Sequence, residues 1–280
     1  MFGEVWGPET HSRRRKLIIQ KHPEVAQLLK PTKPYSIILT FFTVFIGLAV
    51  CYFVKVLTSI IQDASWPVFL FVTYWVGGTI GHSLHVLIHD FTHYGGHSSI
   101  TVNKFFAIMC NIPMGIPSAI PFGKHHADHH NFLGEERKDP DLPMRAESKA
   151  SQYFLYKIFF WIFLTLFYAL RPMFFSKNAR FNRDEIINII IIACTDLIIY
   201  KYWGANALLY LLLVAFVSIG PHPAAAHTLA EHYEFVKGQE TYDYFGFWNF
   251  FNLNLGYHIE HHDFPTCPWY NLPKVRAAAP

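Results

Sequence analysis

Eight histidines in three short runs hold the chemistry legible in this 280-residue chain. His89 and His93 are spaced H-x3-H, His126, His129 and His130 read H-x2-H-H, and His258, His261 and His262 repeat that second spacing. Positions i, i+3 and i+4 share one face of a helix, so each of the last two runs offers three imidazoles to a single centre. Imidazole is the commonest metal ligand. Two plus three plus three ligands are too many for one ion and suit two. All but His11 and His22 of the 17 histidines fall in or beside four patches. A single such histidine would read as an ordinary polar residue at an interface, and it is the clustering that argues for metal. The fourth patch holds His222, His227 and His232. Within Glu231-His232-Tyr233, His232 is placed to add a ninth ligand, His227 reads as a supporting residue, and Pro221 and Pro223 put His222 in a turn. His82 and His85 lie one to two turns before His89 and read as packing or supporting groups. Acids beside the runs, Asp90, Asp128, Glu231 and Glu260, are expected to orient imidazoles through their second ring nitrogen.

Imidazole alone does not select the metal. A zinc hydrolase needs about three protein ligands, an open position and a general base. His89-Asp90-Phe91-Thr92-His93 lacks the Glu of H-E-x-x-H. Two redox-active ions with open positions would instead activate oxygen and attack an unactivated carbon, with the protein fixing geometry and excluding water.

The elements that must position these groups are those of a membrane protein. The chain is 52% hydrophobic and 18% aromatic but only 15% charged, where a soluble domain carries about a quarter charged residues. A net charge of +3 is too small to suggest nucleic acid. Residues 1–34 form a basic arm (Arg13, Arg14, Arg15, Lys16) with one short amphipathic helix expected to end at Pro31 and Pro34. Uncharged Tyr35–Val54 extends roughly 30 Å at about 1.5 Å per residue, enough to span, and Ala64–His89 is a second such run. The positive-inside rule then puts the N-terminus and the end of the second span in the cytosol. Pro113, Pro117 and Pro121 break the segment 105–122, which reads as re-entrant or interfacial. The aromatic stretch 153–170, interrupted by Lys157, reads as interfacial. Ile186–Tyr200 and Tyr202–Gly220 form a second hairpin turning near Gly204, with Asp196 inside it expected to make a hydrogen bond within the bundle. No signal peptide precedes Tyr35, and four scattered cysteines form no CxxC pair or disulfide framework.

The expected fold is therefore an all-α integral membrane protein. Four transmembrane helices in two hairpins, with interfacial helices, carry a cytosolic histidine-rich cap. It forms one domain over 1–280, divided into the arm 1–34, first hairpin 35–89, region 90–185, second hairpin 186–220 and final region 221–280. This topology leaves every histidine run on one side of the bilayer, as a shared site requires.

The three histidine runs resemble those of the membrane fatty-acid desaturase and hydroxylase superfamily. More narrowly, the chain resembles its sphingolipid Δ4-desaturase branch, from about Arg13 to the end. The narrowing stretches are Asn111-Ile-Pro-Met-Gly-Ile-Pro117, Asp128-His-His130, Asp139-Pro-Asp-Leu-Pro143, Ala230-Glu-His-Tyr233, Lys237-Gly-Gln-Glu-Thr-Tyr242 and Gly256-Tyr-His-Ile-Glu-His-His-Asp-Phe-Pro265. The resemblance implies two iron ions, which zinc can replace in purified protein, held by His89, His93, His126, His129, His130, His232, His258, His261 and His262. It also implies oxygen as oxidant, electrons from NADH through cytochrome b5 and its reductase, an endoplasmic reticulum membrane, and dihydroceramide as lipid substrate. The reaction implied is a trans double bond between C4 and C5 of the long-chain base. Departures are His125, where the family usually has Tyr, and an end at Pro280, where relatives are expected to continue into a further cytosolic tail. Phe2 replaces the Gly that N-myristoylation needs. Rival readings are a sphingolipid C4-hydroxylase, an acyl-lipid desaturase, a membrane zinc hydrolase active without oxygen, and a non-enzymatic lipid sensor or metal transporter. A transporter would need ionisable residues along its spans, where only Asp196 qualifies.

Overall fold

The computed structural model describes residues 8–60, 66–171, 181–232, 235–236, 239 and 241–280, with the side chains of 8–10 and of His232 outside the description. Its helices are α1 (Pro8–Lys21), α2 (Tyr35–Ile60), α3 (Trp66–Phe71), α4 (Gly78–Thr92), α5 (Ile100–Asn111), α6 (Ala119–Asn131) and α7 (Arg145–Ala150). They continue with α8 (Phe154–Ile162), α9 (Leu164–Leu170), α10 (Arg183–Trp203), α11 (Ala205–Ile219), α12 (Ala226–His232), α13 (His258–Asp263) and α14 (Leu272–Ala278). No strand forms among the described residues; one isolated bridge pairs Val236 with Gln239. The all-α expectation holds.

Among the described residues, three helical stretches, Tyr35–Ile60, Arg183–Trp203 and Ala205–Glu231, are long and apolar enough to cross a membrane. On α2 a stripe of Ser36, Thr40, Val44, Gly47, Cys51 and Val54 is buried, while Phe42 and Phe45 on other faces are 61% and 72% exposed. A helix apolar all round, with its large side chains outward, suits lipid rather than water. Helical dihedrals also run through Trp66–Thr92, where a π-helical turn over Val72–Gly77 joins α3 to α4. Gly77 and Gly81 bring α4 against α11: a Cβ on either would sit 2.5 or 2.7 Å from Val214. Small residues at a helix crossing permit that backbone approach.

The proline-rich segment bends as its sequence requires. Ile100–Met114 and Ala119–Asn131 meet at 117°, with Gly115 left-handed at φ +64° between Pro113 and Pro117. Amides freed by the break need partners away from water. The Asn111 side chain accepts from Ala119 N at 2.8 Å, and Asn188 of α10 donates to it at 3.2 Å. The second hairpin is present too. Gly204 (φ +92°) separates α10 from α11, and Asp196 and Leu211, near-equidistant from that turn, both flank Gly115. Asp196 corrects one expectation, since its Oδ1 is buried without a hydrogen-bond partner.

The N-terminal segment is a second correction. Its helix ends at Lys21, before Pro23 rather than at Pro31 and Pro34, and a 3-10 turn follows over Pro23–Leu28. The segment also packs against the end of the chain. Val25 joins Phe264, Cys267, Leu272 and Val275 in a small separate core, with Ile18 and Ile19 of α1 packed against it.

Candidate metal centre

The histidine runs His89/His93, His126/His129/His130 and His258/His261/His262 form boxes one, two and three. Box one stands on the last turn of the long α3–α4 run, with His93 as the C-cap of α4. Box two occupies the last two turns of α6, and box three forms most of α13, six residues long. These three elements bring all eight box imidazoles into one connected cluster. His89 packs on His126 and His261 with ring centres 4.4 and 4.5 Å away. His93 packs on His130 at 4.6 Å. His262 packs on His130 at 4.4 Å and on His129 at 5.2 Å, and His258 on His262 at 4.6 Å.

The nitrogens, not only the rings, converge. His89, His93, His126, His130 and His261 each offer a ring nitrogen, all within 4.8 Å of one another. Nε2–Nε2 separations are 3.0 Å for His126–His130, 3.2 Å for His130–His261 and 3.1 Å for His258–His262. Two ligands about 2.1 Å from a metal and at right angles to each other lie roughly 3.0 Å apart, so these spacings fit a shared cation. His89 Nε2 and His93 Nε2 are buried with no hydrogen-bond partner, a costly state that a metal ion relieves. Burial, then the neighbouring imidazoles, hold His126, His130 and His261 well below the ordinary value of 6.5. They are therefore neutral at pH 7, the form that ligates.

Carboxylates brace this cluster, but not all of those expected. Asp139 Oδ1 accepts from His129 Nδ1 at 2.9 Å, both side chains 1% exposed, and Asp141 lies 3.4 Å from the same nitrogen. Glu231 does support imidazoles, lying 2.6 Å from His227 Nδ1 and 3.5 Å from His258 Nδ1. His227 in turn meets His82 Nε2 at 2.9 Å, while His82 Nδ1 donates to the Ser218 carbonyl at 2.7 Å. Three expected supports go elsewhere. Asp90 accepts from Ser36 Oγ at 2.7 Å and Trp269 N at 3.2 Å. Glu260 accepts from Arg276 at 3.0 Å. Asp128 makes no hydrogen bond to a box imidazole among the described residues. The reason is helical geometry: neighbours in sequence point about 100° apart, so an acid beside a ligand faces away from it. Asp139, Asp141 and Asp263 were visible only as parts of family-like phrases, and His11 carried no local signal. His222 caps the turn Pro223–Ala225 by accepting from Ala224 N, as its flanking prolines suggested. The side chain of His232 lies outside the described residues.

A cavity of about 560 Å³ adjoins the cluster. Its walls are mostly apolar, supplied by the bend before α6, by α9 and by α11, with Phe122, Leu166, Leu212 and Ala215 among them. His89, His126 and His258, one from each box, also line it, with His85, His125, His227 and Glu231. His85 Nδ1 is buried without a hydrogen-bond partner, and its ring meets Phe122 edge-on at 4.7 Å. Such a space suits an aliphatic chain, one stretch of which would lie beside the imidazoles.

Comparison with known proteins agrees with this geometry. Residues 64–280 match the family model described as fatty acid desaturase, and residues 6–33 match that of the sphingolipid Delta4-desaturase. The chain belongs to the fatty acid desaturase family. Within it, the chain is 37% identical over 281 residues to the human sphingolipid delta(4)-desaturase/C4-monooxygenase, covering 100% of this chain and 84% of the relative. It is 38% identical over 280 residues to the sphingolipid delta(4)-desaturase of Xenopus tropicalis, covering 99% and 84%. With that of Mus musculus it shares 37% over 284 residues, again 99% and 84%. No solved structure matches the chain.

Proposed function

We propose that this protein desaturates dihydroceramide to ceramide, placing a trans double bond between C4 and C5 of the long-chain base. One observation carries the reading: all three histidine boxes contribute to the wall of one apolar cavity. His89, His93, His126, His130 and His261 would hold metal together with His129, His258, His262 and His232, as a centre of two iron ions. When bound, such ions supply the oxygen activation that removing hydrogen from an unactivated carbon demands. Overall, two hydrogens leave the substrate, first from C4 and then from C5. Molecular oxygen takes two electrons from the substrate and two from NADH through cytochrome b5 and its reductase, and two waters form. Zinc would fill the same imidazole sites without supporting this redox chemistry.

The chain's own groups bind, orient and exclude. Leu166, Leu212 and Ala215 keep water from the chain carbons. Asp139 holds His129 by Nδ1 and Glu231 holds His227 by Nδ1, which fixes tautomer and orientation. A sphingoid base carries hydroxyl and amide groups within a few bonds of C4, so a polar group must lie close to the imidazoles, and the uncommitted Nδ1 of His85 is so placed. The topology proposed is four crossings, by α2, the α3–α4 run, α10 and α11. It faces the N-terminus and the histidine cap to the cytosol of an endoplasmic reticulum membrane, with 1–280 as one catalytic unit.

A second reading shares every one of these groups. The human relative is named for both desaturation and C4-monooxygenation, and a C4-hydroxylase would differ in returning oxygen to C4 before the second hydrogen is lost. The test is mass spectrometry of sphingoid bases from yeast lacking its own C4-hydroxylase and expressing this chain with cytochrome b5. A Δ4-unsaturated base, absent with His261→Ala, is expected. A 4-hydroxylated base would transfer the chain to the hydroxylase reading, and neither product from well-expressed protein would refute the sphingolipid assignment.

A further inference from the structure

We propose that the N-terminal helix is a working part of the metal centre, with His11 a positioning residue that seats the box-three ligand His262 by way of Asp263. The inference rests on the reading of the boxes as metal ligands. It begins from a mechanical problem. Box three stands on a helix of six residues, His258–Asp263. Isolated helices shorter than about 12 residues are marginal, so one this short cannot fix its own side chains. Its position must be imposed from outside.

Asp263, the residue after His262, is where that constraint is applied. Its side chain is 4% exposed, and it accepts from His11 Nδ1 at 2.7 Å on one oxygen and from Arg14 Nε at 2.5 Å on the other. Arg15 Nε donates to the Asp263 backbone carbonyl, so α1 grips side chain and main chain together. The His11 ring itself lies 5.1 Å from the His262 ring, and its Nε2 is 3.4 Å from Thr241 Oγ1. His11 is buried although it stands in a strongly basic helix. Behind this contact, Ile18, Ile19 and Val25 pack with Phe264 and Leu272, which follow box three. Residues separated by about 250 positions in sequence thus close around one ligand-bearing turn. Among the described residues His11 meets no box imidazole other than His262.

The test compares His11→Phe, which keeps a ring against His262 but loses the bond to Asp263, with His11→Asn, which keeps a donor near the Nδ1 position. Lys16→Ala, on an exposed position of the same helix, is the control. Iron per chain and its rate of release to excess chelator are measured in purified full chain, together with the visible spectrum of the Co(II)-loaded protein. Loss of a group that braces a ligand costs about 10–100-fold in metal affinity. His11→Phe is therefore expected to release iron at least about tenfold faster and to show an altered Co(II) spectrum. His11→Asn is expected to restore most of the retention, and Lys16→Ala to match the parent. Release from His11→Phe at the parent rate would overturn the inference, as would equal loss from Lys16→Ala. Poor retention by His11→Asn, equal to that of His11→Phe, would equally overturn the role of the Asp263 bond. If the parent chain itself binds neither iron nor Co(II), the reading of the boxes as ligands fails first.

Discussion

Asp139→Asn is the substitution whose consequence follows most directly from the geometry. Asp139 accepts three hydrogen bonds: Oδ1 takes His129 Nδ1 and Asp141 N, each at 2.9 Å, and Oδ2 takes Gly134 N at 2.9 Å. An amide of the same shape cannot keep all three. With its oxygen toward His129, the new NH2 faces the Gly134 N–H, donor against donor, and a buried unsatisfied donor costs about 1–3 kcal/mol. Turned over, the NH2 faces His129 and Asp141. His129 must then carry its proton on Nε2, and that nitrogen can no longer ligate. Either orientation also removes the negative charge that raises the basicity of His129. Iron affinity is expected to fall by about 10–100-fold, the range for losing a carboxylate behind a metal-bound imidazole, or roughly 1.4–2.8 kcal/mol. Competition for iron against a chelator of known affinity, in detergent-solubilised protein, measures this. Asp128→Asn, beside His129 in sequence but hydrogen-bonded to no box imidazole, is expected to bind iron like the parent. Iron affinity unchanged in Asp139→Asn, or lowered equally in Asp128→Asn, would refute the reasoning.

Three further outcomes are expected. Ala215→Trp fills the cavity beside the cluster, so Δ4 product formation should fall by about 10²-fold through misplaced substrate while iron per chain stays constant; a parallel loss of iron would argue against a substrate cavity. Gly81→Val puts its Cβ 2.7 Å from Val214 and 2.9 Å from Ser218, and overpacking of this kind costs about 1–3 kcal/mol, to be read as earlier thermal aggregation in detergent. For the metal-free protein, the depressed histidines His126, His130 and His261 set a pH dependence. The unfolded chain takes up protons near pH 6.5 that the fold refuses, so stability is complete above about 6.5 and lost as pH falls below it. Melting temperatures of the chelated protein that rise on acidification from pH 7 to 5 would contradict this sign.

What the sequence disclosed, and what it withheld, divides along the range of the interactions. The box spacings were legible because i, i+3, i+4 on a helix is a local geometry, and the structure brings the boxes together on α4, α6 and α13. The prolines at 113 and 117 announced a bend because a ring cannot donate to the helix ladder. The supporting acids were mostly misassigned for the complementary reason. Asp90, Asp128 and Glu260 adjoin box histidines in sequence, and adjacency on a helix is separation in space. Glu231 alone was well placed, four residues after the His227 it holds. Asp139 and Asp141 reach His129 from a loop ten or more residues on, and His11 reaches His262 from the far end of the chain. No periodicity reports a contact of that kind. The π-helical turn in Val72–Gly77 likewise leaves no pattern in a run that is apolar throughout.

The amount of outside support each box receives runs inversely with the length of its own helix. Box one stands at the end of a helical run beginning at Trp66, and packing against α2, α5 and α11 suffices; its acid, Asp90, is spent on Ser36 and Trp269 instead. Box two ends the 13-residue α6, whose start is tied through Asn111, and one of its imidazoles is held by Asp139. Box three, on six residues, is gripped along its length: Asp243 accepts from Ile259 N at 2.9 Å, Arg276 bridges Asp243 and Glu260, Glu231 approaches His258, and α1 holds Asp263. A short helix contributes little rigidity of its own, so ligands on it need anchors from elsewhere in the chain. It follows that, apart from Asp139 behind His129, damage to metal binding from substitutions outside the boxes should be concentrated around α13, at Asp263, Asp243 and Arg276. The same substitutions made around α4, such as Asp90→Asn, should act on stability first and on iron retention only as unfolding proceeds. Iron release and melting measured on one set of variants separate the two: an Asp90→Asn protein that melts normally but sheds iron would break the rule.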